Sequence, residues 1–114
     1  MKLRIMGSFL LWITRSNIAA IALAPFGIYF KNQYYFNDLF TVNHEKIHWR
    51  QQLEMLIIFF YFWYLIEWFI KIFFYGKQAY MNISFERESY ANENNLDYLK
   101  TRKWYSWMKY IFKH

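Results

Sequence analysis

The residues best suited to chemistry lie together in the middle of the chain. The segment His44-Glu45-Lys46-Ile47-His48 has two histidines four positions apart and a glutamate directly after the first. On a helix such a spacing places both imidazoles on one face, where they can bind one zinc ion. Glu45 can then take a proton from the metal-bound water, whose pKa zinc lowers toward about 7. The spacing predicts a zinc centre with hydrolytic chemistry.

A catalytic zinc ion needs a third protein ligand, and the absence of cysteine restricts that ligand to His, Asp or Glu. The acidic residues that follow the motif are Glu54, Glu67, Glu86, Glu88, Glu93 and Asp97. Glu54 and Glu67 belong to a long apolar segment and are poorly placed to return to the histidines. Glu86 and Glu88 lie in a separate helix and point about 200° apart on it. We expect at most one of these two to face the metal.

Two helical segments must position these side chains. Residues 43–75 contain neither Pro nor Gly, and Thr41 or Asn43 can cap the start of a helix there. Because a helix of that length is unusual in a globular protein, we expect a bend or break near residues 54–57. Ser84 predicts the N-cap of the later helix, which carries the downstream glutamates.

The first forty residues predict a helix followed by short strands. The basic start and apolar run imitate a signal peptide, but we expect a helix over about residues 5–22 that stays with the protein. Pro25 ends this helix, and the β-branched and aromatic residues 27–31 predict a short strand. Residues 34–36 lie between turn signals and predict a second strand or a hairpin.

One segment raises the possibility of a membrane. Residues 55–75 have transmembrane length, but Glu67 falls near the centre and Lys71 one turn later. Each charge at mid-bilayer costs on the order of 3 kcal/mol, a cost that an ion pair at this spacing softens. We therefore favour a helix within the fold or on a membrane surface over a true span. The basic and aromatic residues from Leu96 onward could bind anionic lipid. They are equally compatible with an ordinary C-terminal helix that packs its aromatic side chains on the core.

The composition narrows the class of protein. With 114 residues, of which 57% are hydrophobic and 26% aromatic, the chain predicts one folded domain and excludes disorder. The lack of cysteine excludes a disulfide scaffold, a thiolate zinc finger and a cysteine nucleophile. A net charge of +6 suits an anionic surface. Without an RNP, zinc-finger or phosphate-loop pattern, we expect no nucleic-acid partner.

Two motifs resemble those of a known family. The first consists of four polar residues at helical spacing, His44, Glu45, His48 and Gln51. The second follows an aromatic helix and reads Asn82-Ile83-Ser84-Phe85-Glu86-Arg87-Glu88-Ser89-Tyr90. Together they resemble the small gluzincin-like zincin domains, metallopeptidases whose second motif reads roughly Asn-x-Pro-Phe-Glu-x-Glu-Ala-Tyr. They also resemble the minigluzincins, single-domain proteins of similar size.

The resemblance implies a role for each matched residue. The zinc ligands would be His44, His48 and Glu86. Glu45 would be the catalytic base, and Ser89 would occupy the small position where one helix crosses the other. The strand at residues 27–31 would border the cleft, where an extended peptide substrate adds its backbone hydrogen bonds.

The chain departs from that pattern at two positions. Ser84 replaces the usual proline, a mild change because serine also suits a helix start. Tyr90 stands where larger gluzincins often carry an aspartate that orients a ligand histidine, so that support must come from elsewhere. Tyr90 or Tyr80 could instead donate a hydrogen bond to the oxyanion, and the sequence does not choose between them.

We therefore expect a mainly α (α+β) fold in a single zincin-like domain over residues 1–114. Its expected parts are a hydrophobic helix (1–24), short strands (25–40), the motif helix and aromatic helix (41–75), and a glutamate helix with a basic, aromatic tail (84–114). The expected function is zinc-dependent hydrolysis of a peptide or protein substrate by a membrane-associated or otherwise cytoplasmic protein. The alternative is a small non-catalytic membrane-associated protein that has a structural or partner-binding role and a vestigial motif.

Overall fold

Helices form most of the fold, and a small sheet packs against them. The computed structural model describes residues 2–14 and 18–112. The strands within these ranges are β1 (Leu3–Ile5), β2 (Ala20–Leu23) and β3 (Gly27–Phe30). The α-helices in the same ranges are α1 (Ser8–Thr14), α2 (Gln33–Phe36), α3 (Leu39–Glu54), α4 (Ile58–Tyr75), α5 (Ser84–Asn92) and α6 (Tyr98–Thr101). The predicted mainly α class is confirmed.

The N-terminal region is not the expected single helix over residues 5–22. Its helical part is α1, with β1 before it and β2 after it, and residues 15–17 lie outside the described ranges. The strand order is β1-β3-β2, in which β3 runs parallel to β1 and antiparallel to β2. This pairing buries Ala22 with Ile28, Phe30 and Val42 in one hydrophobic cluster. The apolar side chains of β2 are buried between β3 and α3, and this burial outweighs the helical preference of residues 20–23.

Gly27 allows β1 and β3 to approach each other closely. Its φ is +151°, and a Cβ at this position would lie 2.8 Å from the carbonyl oxygen of Lys2. The same oxygen accepts a hydrogen bond from the backbone N–H of Ile28 at 2.7 Å. The predicted strand at residues 27–31 is thus present as β3, with a glycine that the pairing requires.

The expected second strand at residues 34–36 is wrong, because this segment forms α2. The Asn32 side chain accepts a hydrogen bond from Tyr35 N and caps that short helix. The next helix, α3, begins earlier than predicted, with Asp38 as its N-cap in place of Thr41 or Asn43. The Asp38 carboxylate accepts hydrogen bonds from Phe40 N and from the Thr41 hydroxyl. This side chain therefore caps the first turn of α3.

The predicted break near residues 54–57 is confirmed. Helix α3 ends at Glu54, and Leu56 and Ile57 follow with φ values of 53° and 63°. Positive φ is uncommon for residues other than glycine, and the β-branched Ile57 adopts it least readily of the two. Helix α4 then begins at Ile58 and changes direction, so that its inner side packs against α3 and the turns before α5.

The predicted ion pair between Glu67 and Lys71 is also confirmed, and it fixes the start of α5. Lys71 Nζ lies 3.2 Å from Glu67 Oε2, and both side chains are buried. The Glu67 carboxylate accepts bonds from the backbone N–H and the hydroxyl of Ser84 at 2.5 and 2.6 Å. Ser84 is therefore the first residue of α5 rather than its N-cap, which is Ile83.

The described part of the C-terminal region, residues 84–112, contains three short helical segments. Helix α5 ends at Asn92, α6 follows, and residues Ser106–Tyr110 form a 3₁₀ helix. Arg102 crosses back and places its guanidinium between Glu54 and Glu88, with both carboxylates in contact. These two buried ion pairs tie the end of α3 to the middle of α5. Lys113, the last basic residue of the expected tail, lies outside the described residues.

Candidate metal centre

Helices α3 and α5 cross at the histidines of the HExxH segment. The four-residue spacing puts His44 and His48 on the side of α3 that faces α5, and their rings lie 4.9 Å apart. Ser89 is fully buried at the crossing, where its hydroxyl donates to the backbone carbonyl of His44 at 3.3 Å. Because this side chain is small, α5 comes close enough for Glu86 to reach both imidazoles.

Three buried ligand atoms converge at this crossing. Glu86 Oε1 lies 3.1 Å from His48 Nε2 and 3.4 Å from His44 Nε2. The three residues each offer one ligand atom within 4.8 Å of the others. Tetrahedral ligands with bonds of about 2.0–2.1 Å are separated by roughly 3.4 Å. The group His44-His48-Glu86 could therefore hold a metal ion.

The opposite nitrogen of each imidazole is held by an oxygen acceptor. His44 Nδ1 lies 3.0 Å from Glu93 Oε1, and His48 Nδ1 lies 2.7 Å from Gln51 Oε1. Both oxygens favour the tautomer in which Nδ1 carries the hydrogen and donates it. The lone pair of each Nε2 is then directed toward Glu86, as a metal ligand requires.

The two oxygens of the Glu86 carboxylate have different neighbours. The Tyr64 hydroxyl donates to Oε2 at 2.8 Å, while Oε1 faces the histidines. Because Tyr64 lies on α4, the aromatic helix contributes directly to the site. The hydrogen bond leaves Oε1 as the oxygen available to a cation.

The charges at this crossing are strongly coupled. Burial disfavours the imidazolium form of His48, but the Glu86 carboxylate outweighs that effect and raises the pKa of His48 to about 9. Burial also opposes ionisation of Glu86, yet His48 and His44 hold the pKa of that carboxyl well below its ordinary value. A metal cation would take the place of the His48 proton beside the same carboxylate.

Glu45 lies beside the three candidate ligands. Its Oε2 is 3.9 Å from His44 Nε2, and burial raises the pKa of Glu45 against the lowering effects of His48 and His44. The backbone of Ala22, in β2, has a further lowering effect on the pKa of this carboxyl. A carboxylate with a raised pKa at this position can accept and return a proton.

Glu88, the other candidate for the third ligand, points away from the histidines. Its oxygens accept bonds from Gln51 at 2.8 Å, Tyr98 at 2.6 Å and Arg102 at 2.5 Å. The carboxylate is fully buried in this network. Glu88 therefore holds Gln51 in place behind His48, while Glu86 faces the centre.

No family model matches the chain. Comparisons with curated proteins and with solved structures likewise found no match. The resemblance to the gluzincins therefore rests on the two sequence motifs, and the case for the site rests on its geometry.

Two residues of the site were missed by the sequence analysis. Glu93 orients His44 from the end of α5, and Tyr64 bonds to Glu86 from α4. Glu93 could have been predicted, because Glu86, Tyr90 and Glu93 share one helix face at positions i, i+4 and i+7. All three members contact His44, and the Tyr90 ring lies 4.4 Å from the imidazole. Tyr64 left no comparable signal in a helix so rich in aromatics.

Two adjoining cavities open at the centre. One has a volume of about 260 Å³, and its wall is mostly apolar, with Phe60, Tyr61 and Trp68 from α4. The other has a volume of about 280 Å³ and is more polar, with Glu93 in its wall. Glu45 and Tyr80 line both cavities. The cleft therefore offers an apolar arm and a polar arm on either side of the candidate base.

The strand that borders this cleft is β2, not the strand at residues 27–31 as expected. β3 is the central strand, with β1 on one side and β2 on the other, so neither of its edges is open to a peptide. Ala20 and Ala22 of β2 line the cleft wall. Gln52 bonds to Ala22 O and Ala24 N, each at 2.8 Å, and so anchors β2 to α3 beside the centre.

Proposed function

We propose that this protein is a zinc-dependent peptidase of the gluzincin type. His44, His48 and Glu86 hold Zn²⁺, and Glu45 is the general base. The observation that carries the proposal is the convergence of three buried ligand atoms with a second carboxylate, that of Glu45, beside them. Two histidines and one carboxylate form the ligand set of catalytic zinc sites, which keep a fourth position open for water.

Zinc held by His44, His48 and Glu86 would supply Lewis acidity, which polarises a carbonyl and lowers the pKa of water. Glu45 accepts a proton from the attacking water, whose oxygen bonds to the carbonyl carbon of the scissile peptide. As the C–N bond breaks, Glu45 delivers that proton to the leaving nitrogen. Burial raises the pKa of Glu45 and so suits it to both steps.

Tyr80 is a suitable donor for the negative oxygen that forms during this reaction. Burial, together with the nearby Glu86 carboxylate, raises the pKa of Tyr80 well above its ordinary value. The hydroxyl thus stays protonated in the pH range where a zinc peptidase works. Its place in the wall of both cavities supports this role.

The substrate that fits the cleft is an extended peptide with an apolar side chain. β2 is an edge strand, and an extended peptide can add to this edge at Ala20, ahead of the groups of Ala22 and Ala24 that bond to Gln52. The apolar arm between β2 and α4 has room for one aliphatic or aromatic side chain of that peptide.

One observation favours the alternative, a non-catalytic membrane-associated protein that binds a partner. When His48 is in its imidazolium form, its Nε2–H donates to Glu86 while the Tyr64 hydroxyl donates to the other carboxylate oxygen, so Glu86 has hydrogen-bond partners without a metal cation. Such a hydrogen-bond network can have a purely structural role, in which it stabilises the packing of α3 against α5.

The substitution Glu45→Gln separates the two functions. In the zinc-loaded protein, we expect it to lower turnover of a pool of internally quenched peptides with apolar residues by at least about 100-fold, because the base is lost. Zinc content should stay unchanged, since Glu45 is not a ligand. Asp97→Asn, at an exposed carboxylate, is the matched control and should keep full turnover. Equal turnover of the Glu45→Gln and wild-type proteins, or a wild-type protein that cleaves nothing in the pool, would contradict the proposal.

A further inference from the structure

Helix α4 is covered on one side only. Its buried residues are Phe60, Glu67 and Lys71. The opposite side, which we call the outer face of α4, consists of large apolar side chains that are between 49% and 75% exposed: Ile58, Phe59, Phe62, Leu65, Phe69, Ile72 and Phe73. These residues follow an arc of roughly 140° along the whole helix. A continuous apolar surface of this kind marks a site of interaction.

The charged residues of α4 point away from the outer face and have partners inside the protein. Glu67 pairs with Lys71 and accepts a bond from the Trp63 indole N–H at 3.0 Å. Lys71 also donates to the carbonyls of Asn82 and Ile111. Covering the outer face with apolar material therefore desolvates no charge and breaks no hydrogen bond of these two residues.

The surface of the protein is more cationic than its net charge of +6 suggests. Five of its eight acidic residues are buried, namely Glu45, Glu54, Glu67, Glu86 and Glu88. In the described ranges, the basic residues that are not buried are Lys2, Arg4, Lys31, Lys46, Arg50, Lys77, Lys100, Lys103 and Lys109. The acidic residues left at the surface are Asp38, Glu93 and Asp97. Such a surface attracts anionic headgroups.

We propose that the outer face of α4 binds the surface of an anionic lipid bilayer, with the helix lying in the plane of one leaflet. The outer face has no hydrogen-bonding side chain that could select a protein partner, whereas lipid requires none. A second copy of the chain would bring two cationic surfaces together, so electrostatics favour lipid over self-association.

The helix lies in the plane of the bilayer and does not cross it. Ile58–Gln78 is the one segment of the described residues long and apolar enough to span a membrane, and 17% of its most apolar window is buried. The inner side of α4, however, contacts the rest of the protein from Phe60, beside His48, to Tyr75, beside Arg87. A crossing α4 would draw this attached protein, with Lys46 and Arg50 of α3, into the hydrocarbon.

Vesicle binding tests the proposal without any measurement of zinc or turnover. The full chain is floated with vesicles of phosphatidylcholine alone and of phosphatidylcholine mixed with about 30% phosphatidylglycerol, an anionic lipid. We expect binding to both, at least about tenfold tighter to the anionic vesicles, and weaker at high salt. No flotation with either vesicle would overturn the proposal.

A matched pair of triple variants identifies the surface that binds. Leu65→Gln with Phe69→Gln and Phe73→Gln removes the centre of the outer face and should weaken binding by at least about tenfold. The control replaces three other exposed residues, Phe26, Tyr34 and Leu39, with Gln. The control should bind like the wild type, and far-UV circular dichroism should show both variants folded. Equal binding of the two triple variants would refute the assignment, as would a concentration-dependent dimer that only the first variant abolishes.

Spin labels distinguish an in-plane helix from a spanning one. The chain has no cysteine, so single labels at Ile58→Cys, Leu65→Cys and Phe73→Cys report their own depth in the bilayer. The first and last positions are about 22 Å apart along the helix. We expect three similar, shallow depths. A deep label at Leu65 between two shallow ones would show a span and overturn the in-plane arrangement.

Discussion

The hydrogen bonds around each imidazole decide how the candidate centre can work. His44 and His48 both use Nδ1 to bond an oxygen, which leaves Nε2 for Glu86. The oxygens come from different elements, since Glu93 follows α5 and Gln51 belongs to α3. The orientation of the two rings therefore depends on both helices at once.

The substitution Glu93→Gln tests this arrangement. The amide keeps a weaker acceptor near His44 Nδ1 and removes the negative charge, so we expect zinc affinity to fall by about 10-fold. Competition with a chromophoric chelator measures that affinity. Asp97→Asn removes an exposed charge nearby in sequence and should leave affinity unchanged. If Glu93→Gln binds zinc as tightly as the wild type, His44 is oriented by some other contact.

Helical spacing predicted that the two histidines share a face, whereas the choice of Glu86 over Glu88 came from the resemblance to the gluzincins. The i, i+4 spacing of His44 and His48 determines a shared face, and opposite directions on α5 separate Glu86 from Glu88. Tyr64 could not be identified in this way, because its contact with Glu86 depends on how α4 folds back after Ile57. Sequence patterns do not encode that angle.

At the scale of elements, the contacts of β2 with β3 and α3 determine where β2 lies beside the cleft. β2 is attached to β3 by strand pairing and to α3 by Gln52. β3 in turn pairs with β1 through the close approach at Gly27. A disturbance at Gly27 should therefore affect the sheet first and leave the crossing of α3 and α5 in place.

Gly27→Ala should lower the free energy of unfolding by about 1–3 kcal/mol, because the added Cβ meets Lys2 O and the φ of +151° disfavours alanine. Gly7→Ala is the matched control, since a Cβ there meets nothing within 4 Å. Its stability should stay within about 0.5 kcal/mol of the wild type. Urea unfolding followed by circular dichroism measures both variants. Equal stability of the two would argue against the β1–β3 pairing.

The elements that the sequence predicted correctly have strong local signals, and those it missed depend on distant partners. The strand at residues 27–31 and the break after α3 follow from β-branched residues and from helix length. β2 looks helical by composition and becomes a strand only because β3 and α3 cover it. The start of α3 was misplaced by a few residues because Asp38, rather than Thr41 or Asn43, satisfies its first backbone N–H groups.

At the scale of the whole molecule, α4 connects the two proposals. Its inner side provides Tyr64 to Glu86 and the aromatic wall of the cleft, while its outer face is free for lipid. Many of the aromatic residues of the sequence therefore lie on two surfaces of one helix, the cleft wall and the outer face of α4. Taken together, the two proposals assign this protein peptide segments at a membrane surface as its substrates.

The central claim is that α3 and α5 form one zinc site, and the metal content of the purified protein tests it most directly. Elemental analysis of the wild type should give about one zinc per chain. His44→Ala and Glu86→Gln should each lose it, because each removes one of the ligands. His114→Ala, which removes the histidine outside the motif, should retain the metal. A wild-type protein that cannot take up zinc, or a His44→Ala protein that retains it, would contradict the account.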